Sequence, residues 1–227
     1  MQNFFFRLII LFDAMSKTKG ILYAAVSSST FGLAPFFSIM LLTTGFSSFE
    51  VLSYRWGVAS ATLILFGLIS GCSFRLNKKD FGTVFLLSLF RAATSLSLVI
   101  AYQNIASGVA SIIHFMYPLA VALAMMLFFH EKKSLWTITA ILASIAGAVF
   151  LSSGDISHSG GNTTVGIIAA CISVFSYGGY IIGVRKSRAV QINSTVLTCY
   201  VMGIGALLFI ICGCFTSGTS TVTDVSR

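Results

Sequence analysis

The chain has 227 residues, of which 56% are hydrophobic and only 9% are charged, and its net charge is +8. A water-soluble domain carries charge on about a quarter of its residues, so this composition cannot cover a water-facing surface. It excludes a soluble fold and points to an integral membrane protein whose solvent is lipid.

A helix needs roughly 20 mostly apolar residues to cross the hydrocarbon layer. Residues 1–19 precede the first such stretch and read as a cytoplasmic or interfacial segment. Within it FFFRLIILF (4–12) is apolar but short, is interrupted by Arg7, and lacks the basic start and cleavage pattern of a secretory signal. Met15, directly before SKTKG, offers an alternative start. Seven spans then follow, at about 20–42, 49–71, 81–102, 107–129, 135–152, 164–184 and 194–215, and a polar tail (216–227) ends the chain. The connections are short, so neighbouring spans run antiparallel in an all-α membrane protein.

The basic residues orient these spans, because Lys and Arg are retained on the cytoplasmic side. Arg7, Lys17 and Lys19 precede span 1. Arg75, Lys78 and Lys79 separate spans 2 and 3, Lys132 and Lys133 separate spans 4 and 5, and Arg185, Lys186 and Arg188 follow span 6. The opposite loops, 43–48, 103–106 and 153–163, contain none. The expected topology has the N-terminus inside and the end of a seven-span chain outside, in a cell membrane (plasma or inner). The +8 charge thus encodes orientation and calls for no nucleic-acid partner.

Several polar residues sit inside the spans. Span 1 carries Ser27 to Thr30 ahead of Pro35. Span 2 has Glu50, shallow enough to be solvated, and Arg55 deeper in. Span 3 has Arg91 near its middle, with Thr94, Ser95, Leu98 and Tyr102 on the same face. A centred arginine costs about 2.5–3.5 kcal/mol even on lenient scales, so Arg91 should face the bundle interior, either countering an anionic group or supporting helix ends. In span 4, Ser107, Ser111, His114 and Pro118 follow helical spacing with Tyr117 beside them. Pro118 lacks an N–H and leaves the carbonyl of His114 without its helical partner, which predicts a locally unwound polar stripe. That stripe faces a cavity or a packed neighbour. Span 6 places Ser173, Ser176, Tyr177 and Tyr180 on one face, a pattern that also serves ordinary helix packing. The five cysteines (Cys72, Cys171, Cys199, Cys212, Cys214) show neither metal spacing nor a disulfide pattern, and no phosphate-binding glycine loop occurs.

The chain also repeats itself. TKGILYAAVSSSTFG (18–32) lies over TVGIIAACISVFSYG (164–178), and after a one-residue slip VLS (51–53) lies over VLT (196–198). Residues 20–152 then form a five-helix unit, and residues 164–215 form the first two helices of a second copy. Five is odd, so the second copy enters the membrane from the opposite side, as inverted repeats of secondary transporters do.

AYQNIASGVASIIHFMYPLAVALAMMLFFHEK (101–132) and YRWGVASATLIL (54–65) resemble the drug/metabolite transporter superfamily, and within it the EamA-type permeases. By that resemblance Pro118 and Glu131 take the family's proline and glutamate positions, and Arg55 its characteristic arginine. The resemblance implies ten helices in two inverted halves, transport of small metabolites without enzymatic activity or bound cofactor, and three helices beyond the seven found here.

The expected function is therefore alternating-access transport along a path lined by Arg55, Arg91, His114, Tyr117, Pro118 and Tyr177, with His114 as a candidate for proton coupling. A truncated, non-transporting chain, or one completed by a partner chain or a second copy, is the alternative. An intramembrane hydrolase using Ser107 or Ser111 with His114 has weaker support, since triads normally join separate elements. A retinal protein would need a lysine in its last helix, which span 7 lacks.

Overall fold

The computed structural model describes residues 18, 20–22, 25, 33, 35–130, 139, 143, 146–147 and 161–216. By contact density the chain divides into a unit of residues 1–41 and a unit of residues 42–227. The described residues between 18 and 41 are helical throughout, in keeping with a first span; Ser27 to Thr30 lie outside the described residues. In the second unit the helices are α1 (Ser48–Ile69), α2 (Lys78–Asn104), α3 (Ser107–His114), α4 (Tyr117–Phe128), α5 (Thr163–Lys186) and α6 (Ser194–Thr216), with a 3₁₀ turn at Arg188–Gln191. There are no strands among the described residues. Taking α3 and α4 as one segment, five of these segments are long and apolar enough to cross a membrane. The protein is an all-α integral membrane protein.

Polar residues at the helix starts explain where the helices begin. Ser47 and Glu50 form a reciprocal capping box on α1: Glu50 N–H donates to Ser47 Oγ at 3.3 Å and Ser47 N–H donates to Glu50 Oε2 at 2.8 Å. Asn77 caps α2 by accepting from Lys79 N–H at 3.2 Å. Asn162 caps α5 by accepting from the N–H groups of Thr164 and Val165 at 3.1 and 3.2 Å. Each side chain satisfies amides that the first helical turn leaves open at the membrane surface.

Inside lipid, apolar surface gains little by moving from tails to protein, so helices associate through close packing and polar contacts. The α1–α6 pair uses both. Gly205 lets α6 approach the Trp56 ring so closely that a Cβ there would overlap it. Trp56 in turn meets Phe209 edge to face at 5.3 Å. One turn on, the Ser60 hydroxyl donates to the Cys199 carbonyl at 3.3 Å, and the Cys199 thiol donates to the Ser60 carbonyl at 3.9 Å. Leu52, Trp56, Ala92, Val99, Ala206 and Phe209 close this core against α2. A second core joins Val84 and Leu87 of α2 to Ala189, Leu197 and Val201. α5 lies antiparallel to α2, with Gly183 against Leu87, Gly179 against Phe90 and Gly166 against Ile105. It runs parallel to α3 and α4, with Ser173 beside His114 and Gly178 beside Val121.

One end of this unit is tied by Tyr200 Oη donating to the Phe74 carbonyl at 2.7 Å and by the Arg188–Asp80 pair at 3.3 Å. There too, Lys186 lies 4.7 Å from the Phe129 ring. The other end is tied by Ser48 to Gln103 at 3.3 Å and by Asn162 N–H to Asn104 Oδ1 at 3.0 Å. Arg75, Lys78, Lys79, Arg185, Lys186 and Arg188 all belong to the first end. Large apolar side chains such as Leu65, Leu68, Phe175 and Phe215 point outward, where a membrane protein meets hydrocarbon.

Candidate functional site

Span 4 breaks where its proline implies it should. α3 ends at His114 and α4 begins at Tyr117, with Phe115 and Met116 as a turn between them. Met116 N–H reaches Ile113 O at 3.0 Å, one residue short of helical spacing, and Leu119 N–H does the same to Met116 O at 3.0 Å. Pro118 thereby falls in the first turn of a new helix, where a missing N–H costs nothing.

The break also changes which residues share a face. His114 is buried and packs at 5.7 Å from the Tyr117 ring and 5.4 Å from that of Tyr177. Pro118 is exposed and stands outside this group. The turn at Phe115–Met116 resets the rotation of the helix, so Tyr117, not Pro118, continues on the side of His114. The polar stripe read from the sequence divides: Ser111 approaches the Tyr102 hydroxyl at 3.4 Å, while His114 turns to α5.

His114 Nδ1 lies 3.0 Å from Ser173 Oγ, and Ser173 Oγ lies 2.6 Å from the Ala170 carbonyl. A hydroxyl has one proton. Since Ser173 donates it along the shorter contact, to Ala170, His114 Nδ1–H must donate to Ser173. A neutral His114 is then fixed as the Nδ1–H tautomer, with Nε2 as its acceptor.

Arg91 lies near the midpoint of the 27-residue α2. Its guanidinium carbon is 4.9 Å from the ring centre of Tyr177, 5.9 Å from Tyr180 and 6.0 Å from Trp56. Tyr177 and Tyr180 are nearly parallel, and Tyr117 meets Tyr177 edge to face at 4.5 Å. A cation over aromatic faces gains roughly 0.5–2 kcal/mol, more as water is withdrawn. That interaction explains how a charge persists at this depth. Arg55 is partly buried on α1 and lies within electrostatic reach of Arg91 and Tyr102. The structure thus brings together Arg91, His114, Tyr117 and Tyr177, with Arg55 alongside and Pro118 apart. Glu131 lies outside the described residues.

Two members were missed in the sequence. Trp56 supplies one wall of the Arg91 site, and the available signal was a tryptophan deep in a span, away from the interfacial belts such residues favour. Ser173 was visible on its helix face, but nothing there tied it to His114. Thr94 proves to be internally satisfied, donating to Phe90 O at 2.8 Å. Among the described residues no group of three His, Cys, Asp or Glu side chains is placed to hold a metal.

The sequence model of the EamA-like transporter family matches residues 18–153, more than half of the chain. The chain belongs to the EamA-like transporter family. No curated protein and no solved structure matches it. Membership of the EamA-like family gives the aromatic-bound arginine and the broken helix a general context, that of a membrane transporter.

Proposed function

We propose that this protein moves a small metabolite across the cell membrane by alternating access, with Arg91, Arg55, His114, Tyr117 and Tyr177 lining the path. The observation that carries the proposal is Arg91, a permanent cation near mid-helix held by rings from two other helices and adjoining the break between α3 and α4. Interrupted helices at mid-membrane are where secondary transporters build substrate sites, because unwound backbone is tolerated there only beside protein or a cavity. Pro118 acts by placing the break and not as a contact.

We infer that residues 20–152 form one sequence repeat, that 164–215 begin an inverted second one, and that the path would lie where the two repeats meet. Supporting this, the register that lays VLS (51–53) over VLT (196–198) also lays Val58 over Gly203, and Gly203 packs against Ser60. An α1–α6 contact at that register supports pairing of a helix with its counterpart, the arrangement a two-fold axis in the membrane plane would give. The basic residues gathered at one end favour a cytoplasmic N-terminus.

Flux tests the proposal. Arg91→Gln and His114→Ala should each remove metabolite efflux from vesicles that contain normal amounts of the protein. Full flux in both variants would place the path elsewhere.

A further inference from the structure

We propose that the Arg91 site selects an organic oxyanion joined to a flat, unsaturated body and rejects amines; this rests on the transport reading above and names its substrate class. A guanidinium carries five N–H donors. The rings of Trp56, Tyr177 and Tyr180 face the Arg91 charge, but no hydrogen bond or ion pair joins Arg91 to any group among the described residues. Those donors are not sealed in either. Among the described residues Asp80 Oδ1 is the buried side-chain atom that lacks a hydrogen-bond partner, so the nitrogens of Arg91 reach accessible space.

A fork of open donors in low dielectric matches a carboxylate, sulfonate or phosphate in two-pronged geometry. The rings hold the cation in place before the anion arrives. The wall continues from Tyr180 through Tyr177 to the edge-on Tyr117, so a flat group attached to the oxyanion meets aromatic surface next. His114 borders the same wall.

Charge balance sets the discrimination. The six acidic residues are Asp13, Glu50, Asp80, Glu131, Asp155 and Asp224, and none lies in the interior of a span. Glu50 is engaged in the Ser47 capping box, and Asp80 faces Arg188 at the opposite end of the helices. An ammonium group there would meet the Arg91 charge with no interior carboxylate among the described residues to receive it.

Trp56 makes the proposal measurable, since it contacts Arg91 and only one other tryptophan, Trp136, exists. Trp136→Phe in the full-length chain leaves Trp56 as the reporter. Titration with benzenesulfonate should change its emission saturably. Benzyl alcohol should bind at least about tenfold more weakly, the weight of a hydrogen bond to charge, and benzyltrimethylammonium should give no saturable change. Arg91→Gln should abolish the benzenesulfonate response. Arg91→Lys, which keeps the charge and loses the fork, should weaken it about tenfold with benzyl alcohol unaffected, a result readable even if Arg91→Gln fails to fold. Equal responses to all three probes, or a benzenesulfonate response unchanged in Arg91→Lys, would overturn the assignment. Benzenesulfonate flux in proteoliposomes separates the two claims. Arg91-dependent binding without flux upholds the oxyanion site and removes transport, whereas flux of amines without benzenesulfonate binding removes the site and keeps transport.

Discussion

The α1–α6 seam and the Arg91 cluster share Trp56, yet they treat polar groups in opposite ways. At the seam every polar atom named has a partner across the interface: Ser60 and Cys199 exchange bonds with each other's backbone, and a glycine is fitted to the tryptophan ring. At the cluster the Arg91 charge lies against ring faces, and among the described residues its N–H donors have no hydrogen-bond partner. Closure of that kind suits a contact that must hold. Open donors suit a place where a molecule is to be bound and released.

Perturbing each side should break this contrast differently. Gly205→Val should have the largest effect on stability, because the branched side chain must displace the Trp56 ring; we expect a loss of about 3 kcal/mol, the upper range for overpacking, read from thermal unfolding of purified protein. Arg91→Gln should leave stability near wild type and lower flux by at least about tenfold, as measured in vesicles. Ser173→Ala should cost about 1 kcal/mol by stranding His114 Nδ1–H, and its flux should fall less than that of Arg91→Gln. Ser60→Ala should cost about 0.6 kcal/mol, the usual worth of an interhelical bond in a membrane. Asp80→Asn should matter least, under about 0.5 kcal/mol, since Arg188 is 62% exposed and solvent screens the pair. An Arg91→Gln protein that unfolds as readily as Gly205→Val would erase the distinction between seam and site.

Much of this fold was legible in the sequence because lipid leaves little choice: a run of apolar residues must become a helix. The described helices of the second unit lie where hydropathy put them, most of the expected span at 135–152 lying outside the described residues, and Pro118 announced the break between α3 and α4. Rotation about the helix axis was harder to read. Helical spacing put Pro118 on the face of His114, but the turn at Phe115–Met116 shifts the register, and no periodicity rule reports how far. Partners across helices were also hidden. Ser173 and Tyr177 were visible as one face of span 6, yet their meeting with His114 and Arg91 depends on how α2, α3 and α5 pack. Glu50 read as a solvated carboxylate, although Ser47, three residues earlier, already spelled the capping box that engages it.

The most direct measurement is efflux of a mixed pool of small metabolites from proteoliposomes of the full-length chain, followed by mass spectrometry, for wild type and Arg91→Gln side by side. The account predicts that one chemical class, organic anions with flat bodies, leaves faster through wild type and that Arg91→Gln returns it to the rate of protein-free liposomes. Equal efflux from wild type, Arg91→Gln and protein-free liposomes would contradict it.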